Sequence, residues 1–325
     1  MQKVLKILVI RFSSIGDIVL TTPVIRCLKK QLDAEIHFLT KEKYSDILSE
    51  NPYLEKIHFL DNDINETISN LKQEGFDYVI DLHNNIRSRL VALQLRCTTK
   101  YYYKSNLKKL LLIKLGINIL DNVHVVDRYM KTVHSLGVKN DNLGLDYFLP
   151  SDVNLEFDTA KKFICWSIGA SYINKKISLN TILDVSGNIK EPLILLGGIE
   201  DYEFANNIIN KAVKKDIYNF CGELNLSQSA YLIKNSSLLL TNDSGMMHIG
   251  SAFKKTIISF WGCTKPSLGF WPYFSDNNSI EILANNSNRP CSKHGSSCRN
   301  KNQICINSID SREIIIAYKK IMLGK

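Results

Sequence analysis

The sequence predicts an α/β protein made of two doubly wound, Rossmann-like domains. Short apolar runs recur along the chain, and each is followed by a segment whose apolar residues have helical spacing. The runs are unbroken rather than alternating, which is typical of parallel strands buried on both faces. This rhythm occurs twice, on either side of a stretch that contains Pro150 and several acids. With 325 residues, 45% of them hydrophobic, the chain is long enough to fill two cores.

The predicted elements alternate in the order that such a fold requires. In the first half we predict strands at 7–10, 36–39, 57–59 and 78–82, and helices at 18–31, 43–48 and 64–74. In the second half we predict strands at 163–167, 193–196, 218–220, 238–240 and 256–260, and helices at 202–213, from 227 and from 246. We place the domains at 1–155 and 156–325, and the last helix can pack back on the first domain. Two such sheets that face each other form a cleft at the carboxyl ends of their strands, where ligands bind.

The turn after the first strand carries a candidate catalytic acid. It reads Arg11-Phe12-Ser13-Ser14-Ile15-Gly16-Asp17, and its small residues let the backbone approach a ligand closely. It is neither a dinucleotide-binding G-x-G-x-x-G nor a Walker A loop. Asp17 has two interpretations that the motif does not separate. It is either a general base for an attacking hydroxyl, or an acid that caps the next helix and complements its dipole.

The turn after strand 238–240 is the stronger signal for an anion site. It reads Thr241-Asn242-Asp243-Ser244-Gly245, and a helix is predicted to begin there with Met246-Met247-His248. A helix N-terminus offers unpaired N–H groups and partial positive charge, so Ser244 and Gly245 can bring that end against a phosphate. His248 lies one turn further on, where it can donate to the same anion. The alternative is an ordinary N-cap followed by a histidine in the core.

Four motifs in one order resemble glycosyltransferase family 9, the family of the ADP-heptose:lipopolysaccharide heptosyltransferases. They are R-x-S-S-I-G-D-x-x-x-T-x-P at 11–23, D-L-H-N-N-I-R-S at 81–88, L-G-G-I-E-D at 196–201 and D-S-G-x-x-H-x-x-x-A at 243–252. Each motif is weak alone, but four in the family's order are hard to explain by coincidence. The sequence departs from the family after the lysine at 175, where Ile177-Ser178 replace an aromatic residue and a proline.

The resemblance implies a GT-B architecture with an N-terminal acceptor domain and a C-terminal donor domain. It implies inverting transfer of a sugar, heptose from ADP-heptose, to an acidic, lipid-linked glycan such as the lipopolysaccharide core, with no metal and no cofactor. Asp17 matches the general base, and Lys176 leaves the register of the phosphate-contacting Lys175 open. The donor-binding residues implied are Ser13, Ser14, Gly16, Lys175, Glu200, Asp201, Leu224, Asp243, Ser244, Gly245 and His248. The acceptor-binding cations implied are Arg87, His124 and Arg128.

The charge of the chain is basic and uneven. The net charge is +9, and residues 96–139 hold nine Lys or Arg against two acids, a local balance of 9 − 2 = +7. Such a field attracts anionic partners, including an anionic lipid surface, although a solvated basic face without a partner is the alternative. For the segment 104–115 we expect the Leu/Ile face to lie in the core and part of the lysine face to meet phosphate or membrane. We find neither a secretory signal nor a membrane span, and expect a cytoplasmic protein that can lie at the inner face of the inner membrane.

The eight cysteines divide into a scattered group and a late group. Five look like small buried apolar residues: Cys27, Cys97, Cys165, Cys221 and Cys263. The late group, Cys291, His294, Cys298 and Cys305, has the spacing C-x2-H-x3-C-x6-C, which could ligate a structural metal without matching a standard zinc signature. Reduced, packed thiols are the interpretation we favour for a cytosolic loop.

Two other function classes remain to be weighed against a transferase. A nucleotide-sugar-binding module that has lost catalysis would bind the donor without turnover, and the presence of Asp17 disfavours it. A nicotinamide-dependent oxidoreductase shares the fold class, but G-x-G-x-x-G is missing after the first strand of either domain. Nucleic-acid binding is favoured by charge alone, with no motif for it.

Overall fold

The computed structural model describes residues 4–120, 122–286 and 290–324. The chain forms two compact units. The first holds residues up to Ser105 together with Val123–Pro150, and the second holds Asn106–Asn122 together with the chain from Ser151 onward. Each unit is a parallel sheet with helices around it, which confirms the predicted fold class. No helix within the described ranges has the length and apolar character needed to cross a bilayer.

The first unit contains a five-stranded parallel sheet. Its strands are β1 (Lys6–Ile10), β2 (Glu35–Thr40), β3 (Lys56–Phe59), β4 (Tyr78–Asp81) and β5 (Thr98–Tyr101), in the spatial order β3-β2-β1-β4-β5. The first six helices are α1 (Ile15–Val19), α2 (Thr22–Leu32), α3 (Ile64–Glu74), α4 (Ile86–Leu95), α5 (Asn106–Leu115) and α6 (Val125–Val133). The predicted helix 18–31 is two helices. Thr21 caps the second of them and Pro23 stands in its first turn, where the missing N–H of proline costs no helical hydrogen bond.

The second unit contains a six-stranded parallel sheet. Its strands are β6 (Ile164–Ser167), β7 (Leu193–Leu196), β8 (Ile217–Asn219), β9 (Leu238–Asn242), β10 (Ile257–Trp261) and β11 (Ile280–Leu283), in the order β11-β10-β9-β6-β7-β8. Its other helices are α7 (Leu179–Ser186), α8 (Tyr202–Lys211), α9 (Leu226–Asn235), α10 (Gly245–Ala252) and α11 (Ser311–Leu323). β6, β7, β9 and β10 are buried along their whole length, which explains their unbroken apolar sequences.

The last helix, α11, packs on α7, β10 and β11 of its own unit. Its Ile314 and Tyr318 lie in the core there, and the Tyr318 hydroxyl donates to Glu191 at 2.8 Å. The prediction that this helix can also contact the first domain stays a prediction.

Helix α5 differs from expectation in its unit and in its buried face. It belongs to the second unit, so the predicted boundary near residues 150–160 is not the only crossing of the chain. Lys109 and Leu112, three residues apart, are its buried positions, and Lys109 Nζ lies 5.1 Å from the ring centroid of Phe270. Leu107 and Leu110 are 67% and 50% exposed, so the expectation that the Leu/Ile face lies in the core is wrong. The helix buries one narrow stripe, while Leu107, Leu110 and Leu115 are exposed and Leu111 is half-buried.

Each sheet has one point where the order of its strands reverses. In the first unit, β2 lies on one side of β1 and β4 lies on the other side. The loops after β1 and β4 therefore start side by side, where Ile10 is paired with Asp81. In the second unit the same holds for β6 and β9, with Ser167 opposite Thr241. Such switch points are where doubly wound sheets bind ligands, because the two loops diverge and leave a crevice. All four family motifs come directly after strands, and three of them come after the strands at these two points.

Candidate active site

Asp17 lies at the switch point of the first unit, held by contacts on both carboxylate oxygens. Its Oδ1 is 2.8 Å from Nη2 of Arg11, and its Oδ2 accepts from the Ser14 hydroxyl at 3.0 Å and from the Ser14 N–H at 3.3 Å. Ser14 is the N-cap of α1 and Asp17 is its third residue, so the pair forms a capping box. Gly16 is buried in the first turn of this helix. The structure therefore shows the capping role of Asp17, and its role as a base stays a prediction.

Arg11 is fixed more tightly than the motif suggested. Its Nε donates to the Ser13 carbonyl at 2.7 Å and its Nη1 to the Leu82 carbonyl at 2.8 Å, in addition to the ion pair with Asp17. The guanidinium thus joins the loop after β1 to the loop after β4. The sequence motif contains Arg11, but we assigned it no role; an arginine six residues before Asp17 in the same loop was the signal available.

The electrostatics of this site keep Asp17 ionised. Burial alone would raise the pKa of its carboxyl, but the Arg11 guanidinium and the two Ser14 donors outweigh burial and hold the pKa below its ordinary value. His83, whose ring lies 4.8 Å from that of Phe12, has its pKa lowered to about 3 by burial and then by Arg11, so it is neutral. Asp17 therefore carries its charge at neutral pH, which is the state in which a carboxylate can accept a proton.

Two tyrosines cover the same site. The ring centroids of Tyr102 and Tyr129 are 4.7 Å apart, and the Arg11 guanidinium lies 5.9 Å from the Tyr129 ring. Burial raises the pKa of both phenols, which therefore stay protonated. Arg128, on α6, is 9% exposed and acts electrostatically on both tyrosines. The structure thus brings one of the three predicted acceptor cations to the neighbourhood of Asp17.

The other two predicted acceptor cations are placed differently. Arg87 is exposed in the first turn of α4, the helix that follows β4. His124 is 1% exposed and is the N-cap of α6, where its Nδ1 accepts from the Val126 N–H at 3.1 Å. The structure therefore shows His124 as a buried N-cap, and its contact with an acceptor stays a prediction. Asp81 is likewise structural, since it accepts from the N–H groups of His83 and Asn84 and from the Ser88 hydroxyl.

The second unit presents the helix N-terminus that the sequence predicted. β9 ends at Asn242, and α10 begins at Gly245 with Ser244 as its N-cap. The Ser244 side chain does not accept from the helix; its Oγ lies 3.3 Å from the Thr241 hydroxyl instead. Within the described part of the chain, the N-cap residue therefore provides no side-chain acceptor for the first-turn N–H groups of α10. His248, one turn on, is only 4% exposed, and its contact with a donor stays a prediction.

Lys175, rather than Lys176, reaches this turn. Nζ of Lys175 lies 2.7 Å from Oδ2 of Asp243 and donates to the Asp243 carbonyl at 3.0 Å. Lys176 pairs instead with Asp201. The sequence could not separate two adjacent lysines, whereas the 3-10 turn Ile173–Lys175 sends their side chains in different directions. One ammonium group therefore stands beside an open helix N-terminus, an arrangement suited to a phosphate.

Asp201 has a structural place rather than a ligand-facing one. Its side chain is 2% exposed, and it accepts from the Gly198 N–H at 3.0 Å in addition to its pair with Lys176. A Cβ on Gly169 would lie 2.5 Å from its Oδ2, so glycine is needed for that loop to pass over the carboxylate. These contacts occupy the carboxylate within its own unit, and the prediction that Asp201 binds ribose stays a prediction. Glu200 is exposed and lines a pocket of about 320 Å³ with Lys176 and Phe204.

Two further residues, Leu224 and Asn242, have structural contacts in the second unit. Leu224, predicted to touch the base through its backbone, packs its half-buried side chain on the core cluster around Trp261. Asn242, to which we assigned no role, is fully buried and donates to the Ile168 carbonyl at 3.0 Å. It ties the end of β9 to the loop after β6, which fixes the two loops that carry Lys175 and Asp243.

Comparison with known proteins identifies the family. A family model described as glycosyltransferase family 9 (heptosyltransferase) matches residues 64–302. The chain belongs to glycosyltransferase family 9. It is a glycosyltransferase, as its motifs implied. Among curated relatives, lipopolysaccharide heptosyltransferase 1 of Campylobacter coli is 26% identical over 98% of this chain and 99% of its own. Lipopolysaccharide heptosyltransferase 3 of Escherichia coli (strain K12) is 25% identical over 94% and 95%.

Solved structures of the family share the fold. A family 9 glycosyltransferase from Veillonella parvula superposes with a TM-score of 0.81, at 22% identity, over 100% of this chain and 99% of that one. The E. coli heptosyltransferase WaaC with ADP gives a TM-score of 0.72 at 15% identity, over 97% and 99%. These likenesses place both parallel-sheet units of this family 9 member in the GT-B fold.

Proposed function

We propose that this family 9 enzyme transfers heptose from ADP-heptose to an acidic glycan of the lipopolysaccharide core, with inversion, and that its chemistry needs no metal or cofactor. The observation that carries the proposal is that each of the two switch points holds one of the groups that such a reaction needs. One holds an ionised carboxylate fixed by the guanidinium of Arg11, and the other holds a lysine beside a helix N-terminus whose N-cap side chain does not accept from it. The names of the relatives, lipopolysaccharide heptosyltransferases 1 and 3, and the E. coli WaaC structure with ADP support the choice of sugar, nucleotide and acceptor.

Asp17 acts as the general base in this proposal. The acceptor hydroxyl loses its proton to the carboxylate while its oxygen attacks the anomeric carbon, and the bond from that carbon to the pyrophosphate oxygen breaks. Oδ2 receives two donors from Ser14 and Oδ1 receives one from Arg11, so Oδ1 keeps a lone pair for the proton. Arg11 lowers the basicity of the carboxylate but fixes its orientation. Attack from the face opposite the leaving group produces inversion.

The second unit stabilises the leaving group. Negative charge grows on the ADP pyrophosphate as the bond breaks, and donors aimed at that charge stabilise the transition state more than the ground state. The N–H groups at Gly245 and the ammonium of Lys175 are such donors. They replace the divalent cation that other sugar transferases use for the same charge. In this proposal Asp243 places Lys175, and the pyrophosphate shares the ammonium with it.

The acceptor side is cationic in this proposal, and α5 meets the membrane that carries the acceptor. Arg128 beside the tyrosine pair and exposed Arg87 would recognise acidic groups of the glycan. Leu107 and Leu110 are outward-facing on a helix with several lysines, a pattern typical of a helix that lies in a lipid interface. The enzyme would then work at the cytoplasmic face of the inner membrane. Co-sedimentation with vesicles containing phosphatidylglycerol tests this; a Leu107→Ser, Leu110→Ser variant that binds as well as the wild type contradicts it.

The experiment for the reaction combines binding and turnover. ADP, UDP and GDP are titrated into the protein by calorimetry, and ADP-heptose is then tested with a lipopolysaccharide-core acceptor. We expect ADP to bind tightest. Asp17→Asn should lower kcat by roughly 10²–10⁴-fold while ADP affinity stays unchanged. Glu66→Gln, an exposed acid on α3, is the control. Donor binding without turnover in the wild type would identify a binding module, and full activity of Asp17→Asn would remove the base. NMR of the new linkage tests inversion.

A further inference from the structure

Four cysteines of the second unit lie together although the sequence separates them. The thiols of Cys263, Cys291, Cys298 and Cys305 all lie within 4.8 Å of one another. Three of these residues are buried, and all four are free cysteines. Cys263 was expected to be an isolated core residue, whereas His294, which the spacing grouped with the late cysteines, is exposed and is not in the cluster. The structure thus replaces the histidine of the predicted group with a fourth thiol.

We infer that these four cysteines bind one thiophilic divalent ion, Zn²⁺ or Fe²⁺, in a structural site. The Sγ atoms of Cys298 and Cys305 are 3.4 Å apart and those of Cys291 and Cys305 are 3.6 Å apart. Four thiolates at about 2.3 Å from a tetrahedral zinc ion lie about 3.8 Å from one another, so the arrangement needs only small shifts to close on an ion. A site with four protein ligands has no open position for substrate, so it supplies structure rather than chemistry.

The backbone around the cluster is built to bring its loops together. Cys263 follows β10, and its carbonyl accepts from the Cys291 N–H at 2.8 Å. A Cβ on Gly262 would lie 2.7 Å from the backbone nitrogen of Ile306, so glycine there lets the segment of Cys305 approach. The Cys305 N–H points at Cys298 Sγ at 3.4 Å. Such N–H···S contacts stabilise a thiolate, the form in which cysteine binds a metal.

A cation next to the cluster balances part of the charge that four thiolates would carry. Lys265 is 5% exposed, donates to the Ala284 carbonyl at 3.0 Å, and acts electrostatically on Cys263, Cys291 and Cys305. Four thiolates and one divalent ion sum to −2. A buried lysine in this position is costly beside neutral thiols and favourable beside a metal–thiolate centre.

The centre would hold the loop that supports Lys175. The loop passes Gly295 over the lysine stem, where a Cβ would lie 2.8 Å from Lys175 Cγ, and the Asn174 amide donates to the Gly295 carbonyl at 3.0 Å. Gly295 lies between Cys291 and Cys298 in the chain, and the 3-10 turn of Lys175 contacts the turn Cys305–Ser308. An ion bound by the cysteines would therefore fix the loop against this lysine. This second part rests on the proposed role of Lys175 at the donor.

The test begins with metal analysis of the full-length protein, purified without chelator. We expect about one zinc or iron per chain, with X-ray absorption showing four sulfur ligands at about 2.3 Å; visible absorption distinguishes iron from zinc. Cys298→Ser and Cys263→Ser should lose the ion, whereas His294→Ala and Cys97→Ser, the last a cysteine of the first unit, should keep it. Metal-free protein with four reactive thiols or a disulfide would overturn the inference, as would a nitrogen ligand. The analysis of wild-type protein needs no variant to fold.

The role of the loop has its own readout. Cys298→Ser, or wild type stripped by a chelator, should bind ADP roughly 10–100-fold more weakly, which is the range for losing one charge-assisted hydrogen bond. Unchanged ADP affinity in metal-free, folded protein would overturn the link to Lys175. If the wild type holds the ion but binds no ADP, the proposed function fails and the metal site stands.

Discussion

Replacing Lys175 by methionine tests the donor site most directly. Methionine keeps an unbranched stem against Gly295 but removes the ammonium that bridges to Asp243. Loss of one donor aimed at developing charge typically costs about 2.7–4 kcal/mol, or 10²–10³-fold in kcat. The two side chains are only 14% and 11% exposed, so the variant also leaves a poorly solvated carboxylate next to the expected pyrophosphate. We therefore expect kcat/KM to fall about 10³-fold, the upper end of that range.

A double variant separates the two contributions. Two like charges about 4 Å apart repel by about 1 kcal/mol in water and about 4 kcal/mol near a protein surface. Adding Asp243→Asn to Lys175→Met removes this repulsion and should recover roughly fivefold of the loss, the low end of that estimate. Initial rates with ADP-heptose and calorimetry with ADP measure both effects.

The adjacent lysine provides the matched control. Lys176 pairs with nearly buried Asp201, so Lys176→Met should lower thermal stability but leave ADP affinity within about threefold below the melting temperature. The reasoning fails if Lys175→Met keeps wild-type kcat/KM, or if Lys176→Met loses ADP binding and Lys175→Met does not.

Contacts of single residues support three further predictions. Arg11 lowers the pKa of Asp17, so Arg11→Gln should move the acid limb of the kcat/KM–pH profile to higher pH; an unmoved limb contradicts the base role. Burial, followed by the charge of His37, lowers the pKa of His58 from 6.5 to about 4 in the folded protein. The folded state therefore binds this proton less readily than the unfolded state, and the free energy of unfolding falls by about 3 kcal/mol between pH 6.5 and pH 4. Urea unfolding as a function of pH should show this decrease, and His58→Gln should make it smaller. Gly262→Ala should lower the free energy of unfolding by about 1–3 kcal/mol, because the new methyl group would clash with Ile306. Gly187→Ala, whose methyl group would meet only ordinary van der Waals contacts, should not lower it. Equal melting temperatures of the two variants would contradict this prediction.

The sequence was most informative where strands are buried and end at a ligand site. Apolar runs such as Leu193–Leu196 have one physical explanation, a central parallel strand, and the polar residues just after them must lie at the carboxyl edge. Hence the positions of Asp17, Lys175 and Asp243 in loops after buried strands could be predicted, whereas their roles at a ligand stay predictions. Helix α5 was misjudged because leucine or isoleucine at six of its ten positions gives it no clear apolar face. Its buried residues pack against Phe270 and Leu268, which lie far along the chain.

Contacts between distant segments were the other part that sequence could not supply. Cys263 joins Cys291 because two strands of a sheet and one glycine bring their loops together, and spacing within a loop carries no trace of that. His294 fitted the spacing of a metal ligand and lies elsewhere. His124 fitted the pattern of a cation and is a cap, because a histidine before a helix can satisfy an N–H group as well as bind an anion.

The two interpretations of Asp17 are compatible, and the structure explains how. A capping box and an ion pair fix the carboxylate in one rotamer, which a base needs if its free lone pair is to meet an acceptor hydroxyl. The same contacts lower its pKa and so weaken it as a base. A base of such low pKa is sufficient only if the acceptor hydroxyl loses its proton late in the reaction. By then its oxygen has begun to bond to the anomeric carbon, which makes the hydroxyl proton acidic. A weak, rigid base therefore suits a reaction whose barrier lies mainly in departure of the pyrophosphate, which is the step that Lys175 and the N-terminus of α10 assist in the mechanism we propose.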